Sequence, residues 1–232
     1  FLLTFILIGF LGTSFERTVI KPLRKSPLLM VLVATIALGI VIRESVRLFY
    51  LQGSNPQVFP KILPQMSLEL GQLYLRFDHL LIFLISIFVI FFMFLFMNRT
   101  RTGLAIRANS QDIEAANLMG VHSDRLIAIT FFVGSLLAGL AGLLVGSYQT
   151  VVRFDIGLMG GIKGFSAAVV GGLGNFYGAI VGSLILGFIE SLTSAYVPGG
   201  APYKDVFAFI VVIFFLVFKP SGVLGRTPPV KL

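Results

Sequence analysis

Two stretches of this chain carry no charge over lengths that few environments accommodate: Leu80–Met97 gives 18 uncharged, almost wholly apolar residues and Leu126–Tyr148 gives 23. At a rise of about 1.5 Å per helical residue, each is long enough to cross a hydrocarbon core about 30 Å thick. Backbone amides find no water there, so a spanning element is a helix or part of a closed barrel. Barrel strands alternate apolar and polar residues, whereas these runs are solidly apolar. Composition agrees: 56% of residues are hydrophobic and 12% charged, with a mean hydropathy of +0.97. The expected fold class is therefore all-α, a polytopic integral membrane protein with one transmembrane domain over residues 1–232 and about six transmembrane helices.

Further spans are expected at Phe1–Thr13, Leu28–Tyr50, roughly Phe176–Val197 and Val206–Phe218, the last bounded by Asp205 and Lys219. The chain opens inside an apolar run, Phe1–Gly12, with no initiator Met and no basic flank, so the run does not read as a signal peptide. It is expected to be the remnant of a helix whose beginning is missing.

A net charge of +8 raises the question of nucleic acid. The basic residues lie between apolar spans, where membrane topology accounts for them, and no nucleic-acid partner is expected. The absence of cysteine removes thiol nucleophiles, thiolate metal sites and disulfides. With only His79 and His122 available, no metal site is expected, and nothing in the spans forms a catalytic constellation.

Orientation follows from the same basic residues. Segment 14–27 carries Arg17, Lys21, Arg24 and Lys25, and 98–125 carries Arg99, Arg101, Arg107 and Arg125, whereas the longer loop 51–79 has Lys61 and Arg76 alone. This places 14–27 and 98–125 in the cytoplasm and 51–79 outside as an extracytoplasmic loop, long enough for a small cap or hairpin and carrying Pro56, Pro60 and Pro64. Simple alternation would then strand Lys219, Arg226 and Lys231 on the outer face. Parity is restored by a re-entrant half-helix at Ile162–Val170, broken at Gly171–Gly174, with Phe176–Val197 returning outward. Tyr50, Tyr74, Tyr148, Tyr196 and Tyr203 then all lie near the outer interface, which suits tyrosine. Arg43, Glu44 and Arg47 at the outer end of the second span read as anchoring residues, with Glu44 and Arg47 able to pair.

Small residues recur every four positions in two spans: Gly134, Ala138, Gly142 and Gly146 in one, Ala179, Ser183, Gly187, Ser191 and Ala195 in the other. Such stripes let helix backbones approach closely and are read as helix-packing faces, within the subunit or against a partner. On the cytoplasmic side, the loop 98–125 contains a short helix with readable ends. Asn109 or Ser110 caps its start, Asp112 and Glu114 occupy its first turn, and Gly120 ends it.

Gly103-Leu-Ala-Ile-Arg-Ala108 and Ile113-Glu-Ala-Ala-Asn-Leu-Met-Gly-Val121 resemble the coupling loop of LivH-type permeases of branched-chain amino acid ABC importers. The resemblance continues through Phe131, Gly134, Ala138-Gly-Leu-Ala-Gly142, Met159-Gly-Gly-Ile-Lys-Gly-Phe-Ser-Ala-Ala-Val-Val-Gly-Gly-Leu-Gly174, Leu186-Gly-Phe-Ile-Glu190, Tyr203-Lys-Asp205 and Lys219-Pro-Ser-Gly-Val-Leu-Gly225, with Glu16-Arg17 and Pro22-Leu-Arg24 upstream.

The resemblance implies a permease of a bacterial or archaeal cytoplasmic membrane that binds no cofactor itself. ATP and magnesium would sit on two ABC ATPase subunits gripping a coupling helix at about Ser110–Met119. The corresponding coupling residues are Gly103, Arg107, Ala108, Asp112, Glu114, Ala115 and Gly120. It also implies a second, LivM-like permease subunit and a substrate-binding protein touching segments 51–79 and 198–205, and that further helices precede the position where this chain begins. The chain contains no G-x-x-x-x-G-K-[ST] phosphate loop of its own.

For the translocation path, the broken segment around Lys163, Phe165, Gly171, Gly172 and Gly174 is the candidate, with Val169 and Val170 able to meet an aliphatic side chain. Irregular backbone at membrane depth persists only beside protein or a watery cavity, and free amides at a half-helix end can face a carboxylate. Glu190, a carboxylate in an apolar span, needs a partner or a proton and is a further path candidate. Alternatives are a permease for urea, short amides or other amino acids, and an ATPase-independent channel or secondary carrier. A carrier usually places several ionisable groups at mid-membrane, where Glu190 stands nearly alone.

Overall fold

The computed structural model describes residues 2–24, 26–50, 52–60, 63, 67–70, 73–219 and 221–225. Phe1, Lys25, Lys61, Pro64, Pro220, Arg226 and Lys231 lie outside them, as does the side chain of Tyr74. Two compact units divide the chain, Phe1–Asp155 and Ile156–Leu232. Among the described residues, five helices are long and apolar enough to cross a membrane: Leu29–Phe49, Phe77–Arg99, Ser123–Gln149, Phe176–Tyr196 and Ala201–Phe218.

The first unit starts with α1 (Leu2–Phe15), a π-helical turn (Glu16–Ile20) and α2 (Lys21–Leu23), so helix continues well into the segment expected to be a cytoplasmic loop. Pro22 explains the widened turn: it has no N–H, and in a regular helix its ring would strike the carbonyl of Thr18. The Lys21 amide instead reaches five residues back to the Glu16 carbonyl. After α3 (Leu28–Phe49), the loop that follows forms β1 (Gln57–Val58) and the hairpin β2 (Ser67–Leu70) and β3 (Leu73–Arg76). Then come α4 (Phe77–Arg99), α5 (Arg101–Gln111), α6 (Ile113–Leu118), α7 (Ser123–Gln149) and β4 (Val151–Val152), which pairs antiparallel with β1.

Helices α1 and α7 pack through glycine. A Cβ on Gly12 would overlap the Ser135 side chain, one on Gly9 would press on the Phe132 ring, and Gly139 receives Ile8. Phe10 and Phe132 meet edge to face at 6.3 Å. The contact face of α7 is therefore Phe132, Ser135 and Gly139. The expected stripe is turned away: Gly134, Ala138 and Gly142 are exposed, with open space at both glycines, and only Gly146 is covered, by the Phe59 ring. Both faces carry small residues at helical spacing, so periodicity alone does not say which one meets α1.

The end of this unit that carries the β1–β4 pair is tied down by side chains as well. His79 packs on Tyr148 at 4.9 Å, Arg47 lies over the Phe154 ring at 5.9 Å, and buried Asp78 is held by Arg76 at 2.6 Å. Glu44 takes Arg47 at 3.1 Å, the pairing that their spacing predicts, and also its neighbour Arg43 at 2.8 Å.

The second unit is a three-helix bundle of α8 (Ile156–Gly171), α9 (Phe176–Tyr196) and α10 (Lys204–Phe218), with a 3-10 turn (Ala201–Tyr203) before α10. Its core is Ala167 and Val170 of α8, Leu186 of α9, and Ala208 and Val212 of α10. The half-helix expected over Ile162–Val170 is 16 residues long, about 24 Å of helix. Gly157, Gly160, Gly161 and Gly164 lie inside it rather than breaking it, although each costs a helix roughly 1 kcal/mol.

Helices α8 and α9 touch backbone to backbone. A Cβ on Gly171 or Gly178 would strike the other's carbonyl, and one on Gly182 would strike the Ala167 carbonyl. Again the stripe shifts by one position, since Ala179 is half-buried while Ser183 and Gly187 are exposed.

Gly182→Val should therefore destabilise the protein by about 1–3 kcal/mol through overpacking. Gly187→Ala, with nothing within 4 Å of its Cβ, should stay within about 0.5 kcal/mol; thermal unfolding of the purified protein in detergent measures both. Orientation is testable on the natural cysteine-free background. A membrane-impermeant maleimide added to intact cells should label Asn55→Cys, and should label Gln111→Cys only after permeabilisation.

Candidate functional site

The segment between α4 and α7 is two helices, not the single one expected over Ser110–Met119. Thr100 caps α5, its hydroxyl accepting from the Gly103 amide at 3.0 Å. Gly103 is buried there because α5 folds back so tightly on α4 that a Cβ would enter the Phe96 carbonyl and Met97 backbone. Arg107 fastens the return by donating to the Asn98 side chain at 3.2 Å. Asp112, extended at φ −153°, separates the two helices and caps the second, accepting from Glu114 N–H at 2.9 Å and Ala115 N–H at 3.0 Å. It therefore stands at the cap rather than in the first turn.

Asn109 and Ser110 are not caps. The Ser110 hydroxyl donates to the Arg107 carbonyl, and the Asn109 carboxamide lies 2.5 Å from the Ser123 hydroxyl. Gly120 does end α6, at φ +81°, with Val121 N–H bonded to the Ala116 carbonyl at 3.0 Å.

The outer surface of this hairpin is bare. Ala108, Glu114 and Ala115 are exposed, and Leu118 and Met119 are 89% and 84% exposed. Polar caps fix the helix while its apolar tip has no cover within the unit.

The second unit assigns the glycine break a different job from the one expected. Its α8 end is a C-terminus and presents carbonyls, not amides: Val170 and Gly171 accept from Val223 and Leu224 N–H at 2.8 and 2.9 Å. The adjacent N-terminus of α9 is capped from within the chain, since Asn175 Oδ1 accepts from the amides of Tyr177 and Gly178. Asn175 also donates to the Leu224 carbonyl at 2.7 Å. Gly172 adopts φ +110°, and a Cβ there would strike the Gly225 backbone, while one on Gly222, at φ +77°, would strike the Gly172 backbone. Gly171 and Gly172 are thus parts of a knot with residues 221–225, and a side chain of the knot, Asn175, takes the helix-end amides that a carboxylate would need. Gly174, at φ +83°, turns the chain into α9 with open space around it. Val170 is fully buried in the core and unavailable to a ligand, whereas Phe165 is 54% exposed.

Glu190 does not stand alone. Lys163 on α8 reaches Glu190 on α9 at 3.0 Å and Asp205 in the first turn of α10 at 2.6 Å, and the three side chains are 20–37% exposed. Two carboxylates share one ammonium group between the middle of α8, the later part of α9 and the first turn of α10. From sequence, Lys163 and Glu190 stand out separately and Asp205 does not. The available signal is that Glu190 needs a cation, and Lys163 is the base within the neighbouring apolar segment.

Residues 1–216 match the family described as branched-chain amino acid transport system / permease component. Among curated relatives, the chain is 36% identical over 219 residues to the high-affinity branched-chain amino acid transport system permease protein BraD of Pseudomonas aeruginosa, covering 93% of this chain and 70% of that protein. It is 35% identical over the same length and shares to the permease protein LivH of Salmonella typhimurium. To the probable branched-chain amino acid transport permease protein LivH of Methanocaldococcus jannaschii it is 29% identical over 163 residues, 62% of this chain and 48% of that protein. No solved structure matches. With apolar helices long enough to cross the bilayer repeatedly and a family match over nearly its whole length, this multi-pass membrane protein belongs to the family of branched-chain amino acid transport permease components.

Proposed function

We propose that the chain is the membrane-spanning permease subunit of an ATP-driven importer, and that its cargo is leucine, isoleucine and valine. The observation that carries the energy-coupling part is the α5–α6 hairpin: a segment between two spans, rigidly capped, with Leu118 and Met119 almost wholly exposed. Apolar side chains held outside the spans on a fixed scaffold suit a partner surface. Cytoplasmic ATP-binding subunits, which hold ATP and magnesium, would supply that surface. Family membership supports the cargo.

On this reading a second permease subunit meets the faces left open, namely Gly134, Ala138 and Gly142 of α7 and the bare glycines Gly157, Gly161 and Gly164 of α8. A binding protein delivers cargo at the outer loops. The translocation path runs along α8 past Phe165 and the Lys163, Glu190 and Asp205 cluster, which offers one ammonium and two carboxylates to a zwitterion.

The test is reconstitution of the full-length permease with its partners in proteoliposomes. Uptake of leucine, isoleucine and valine should depend on ATP and cease when the ATP-binding subunits are omitted. Uptake that persists without them would refute the importer reading, and preference for urea would refute the cargo. Leu118→Asp should lower ATP-dependent leucine uptake by about fivefold to a hundredfold, because a charge placed in the docking surface costs about 1–3 kcal/mol. Copurification of the ATP-binding subunits should weaken with it.

A further inference from the structure

Glu16 is 1% exposed, the most buried charged residue among those described. A carboxylate shielded in that way persists only with a cation against it, and Arg24 supplies one. The same guanidinium also holds Asp124 in the first turn of α7, and Lys21 reaches Asp124 at 3.4 Å. The π-helical turn and α2 therefore fold Arg24 back over the end of α1, joining α1 to the start of α7 through a bridging cation.

The residue beside Asp124 is held from the other side. Ser123 is buried, and its hydroxyl lies between the carboxamide oxygens of Asn109 on α5 and Asn117 on α6, at 2.5 and 2.6 Å. Two consecutive residues at the head of α7 are thus gripped by different elements: Ser123 by the α5–α6 hairpin, Asp124 by Lys21 and Arg24 of the α2 turn that follows α1. The two grips differ in shielding. Glu16 and Arg24 are covered, while the Asp124 side chain is 67% exposed, so the link to Asp124 is the exchangeable one.

We propose that Glu16, Arg24 and Asp124 are positioning residues that transmit displacement of the α5–α6 hairpin into α1, so that α1 and α7 move as one body when the ATP-binding subunits close. This rests on the importer reading given above. It adds a link that the coupling hairpin alone does not supply: α1 lies outside that hairpin, yet it packs along α7 through Gly9 and Gly12 and is clamped at its end. A contiguous network of hydrogen bonds and ion pairs is one physical form that such coupling takes, and its proof is a change in coupling on mutation.

The experiment uses the full-length permease assembled with its ATP-binding subunits and binding protein, measuring ATP hydrolysis and leucine uptake in parallel. In Asp124→Ala, the ATP hydrolysed per leucine imported should rise about tenfold while the hydrolysis rate holds within about twofold, and Asp124→Glu should restore the ratio. A fall of both activities together, or a ratio unchanged from the unmutated complex, overturns the proposal.

A second readout does not depend on cargo. With spin labels on Ser14→Cys and Gln111→Cys, the interspin distance should be narrowly distributed in the unmutated permease and should broaden in Asp124→Ala. An unchanged distribution also overturns the proposal. Failure of the importer reading shows separately, as absent ATP-dependent uptake in the unmutated complex.

Discussion

Lipid gives helices no hydrophobic reason to leave it and no hydrogen bonds to fall back on, so this architecture depends on backbones coming close enough for dispersion to add up. The second unit shows the constraint most clearly. Gly171, Gly178 and Gly182 bring α8 and α9 to carbonyl contact, and the fully buried Val170 fills the space that remains between them and α10. The first unit repeats the device with Gly9, Gly12 and Gly139 between α1 and α7.

Charge is managed under the same constraint. Glu16 and Asp78, nearly shut from solvent, each face an arginine, and Glu190 shares Lys163 with Asp205. Desolvating a carboxylate costs several kcal/mol unless a partner lies against it. These pairings sit at helix ends or between helices. The same economy leaves polar caps at Thr100, Asp112 and Asn175 where helices begin.

Span positions are legible in the sequence because apolar length is a local property. The run Leu80–Met97 lies within α4 at Phe77–Arg99, and Leu126–Tyr148 within α7 at Ser123–Gln149, each extended by polar residues that end caps and ion pairs accommodate. What the sequence alone leaves open depends on contacts distant along the chain. Asp112 suits a cap or a first turn, and only the fold-back of α5 onto α4 decides it. Gly134, Ala138 and Gly139 all suit close packing, and the α1 side chains choose Gly139. Lys163 and Glu190 each stand out, yet their pairing spans 27 residues and needs the turn between α8 and α9. The glycine break reads as an opening because the segment that closes it lies beyond α10.

That closing segment has a consequence for how the protein is made. Residues 221–225 emerge from the ribosome after all three helices of the second unit, yet they supply the amides that satisfy Val170 and Gly171 and the carbonyl that receives Asn175. Until they arrive, the hairpin of α8 and α9 carries two unsatisfied carbonyls and a gap beside Gly172. Residues 221–225 act as a latch on the bundle, so the unit reaches its final packing only once translation has passed Gly225.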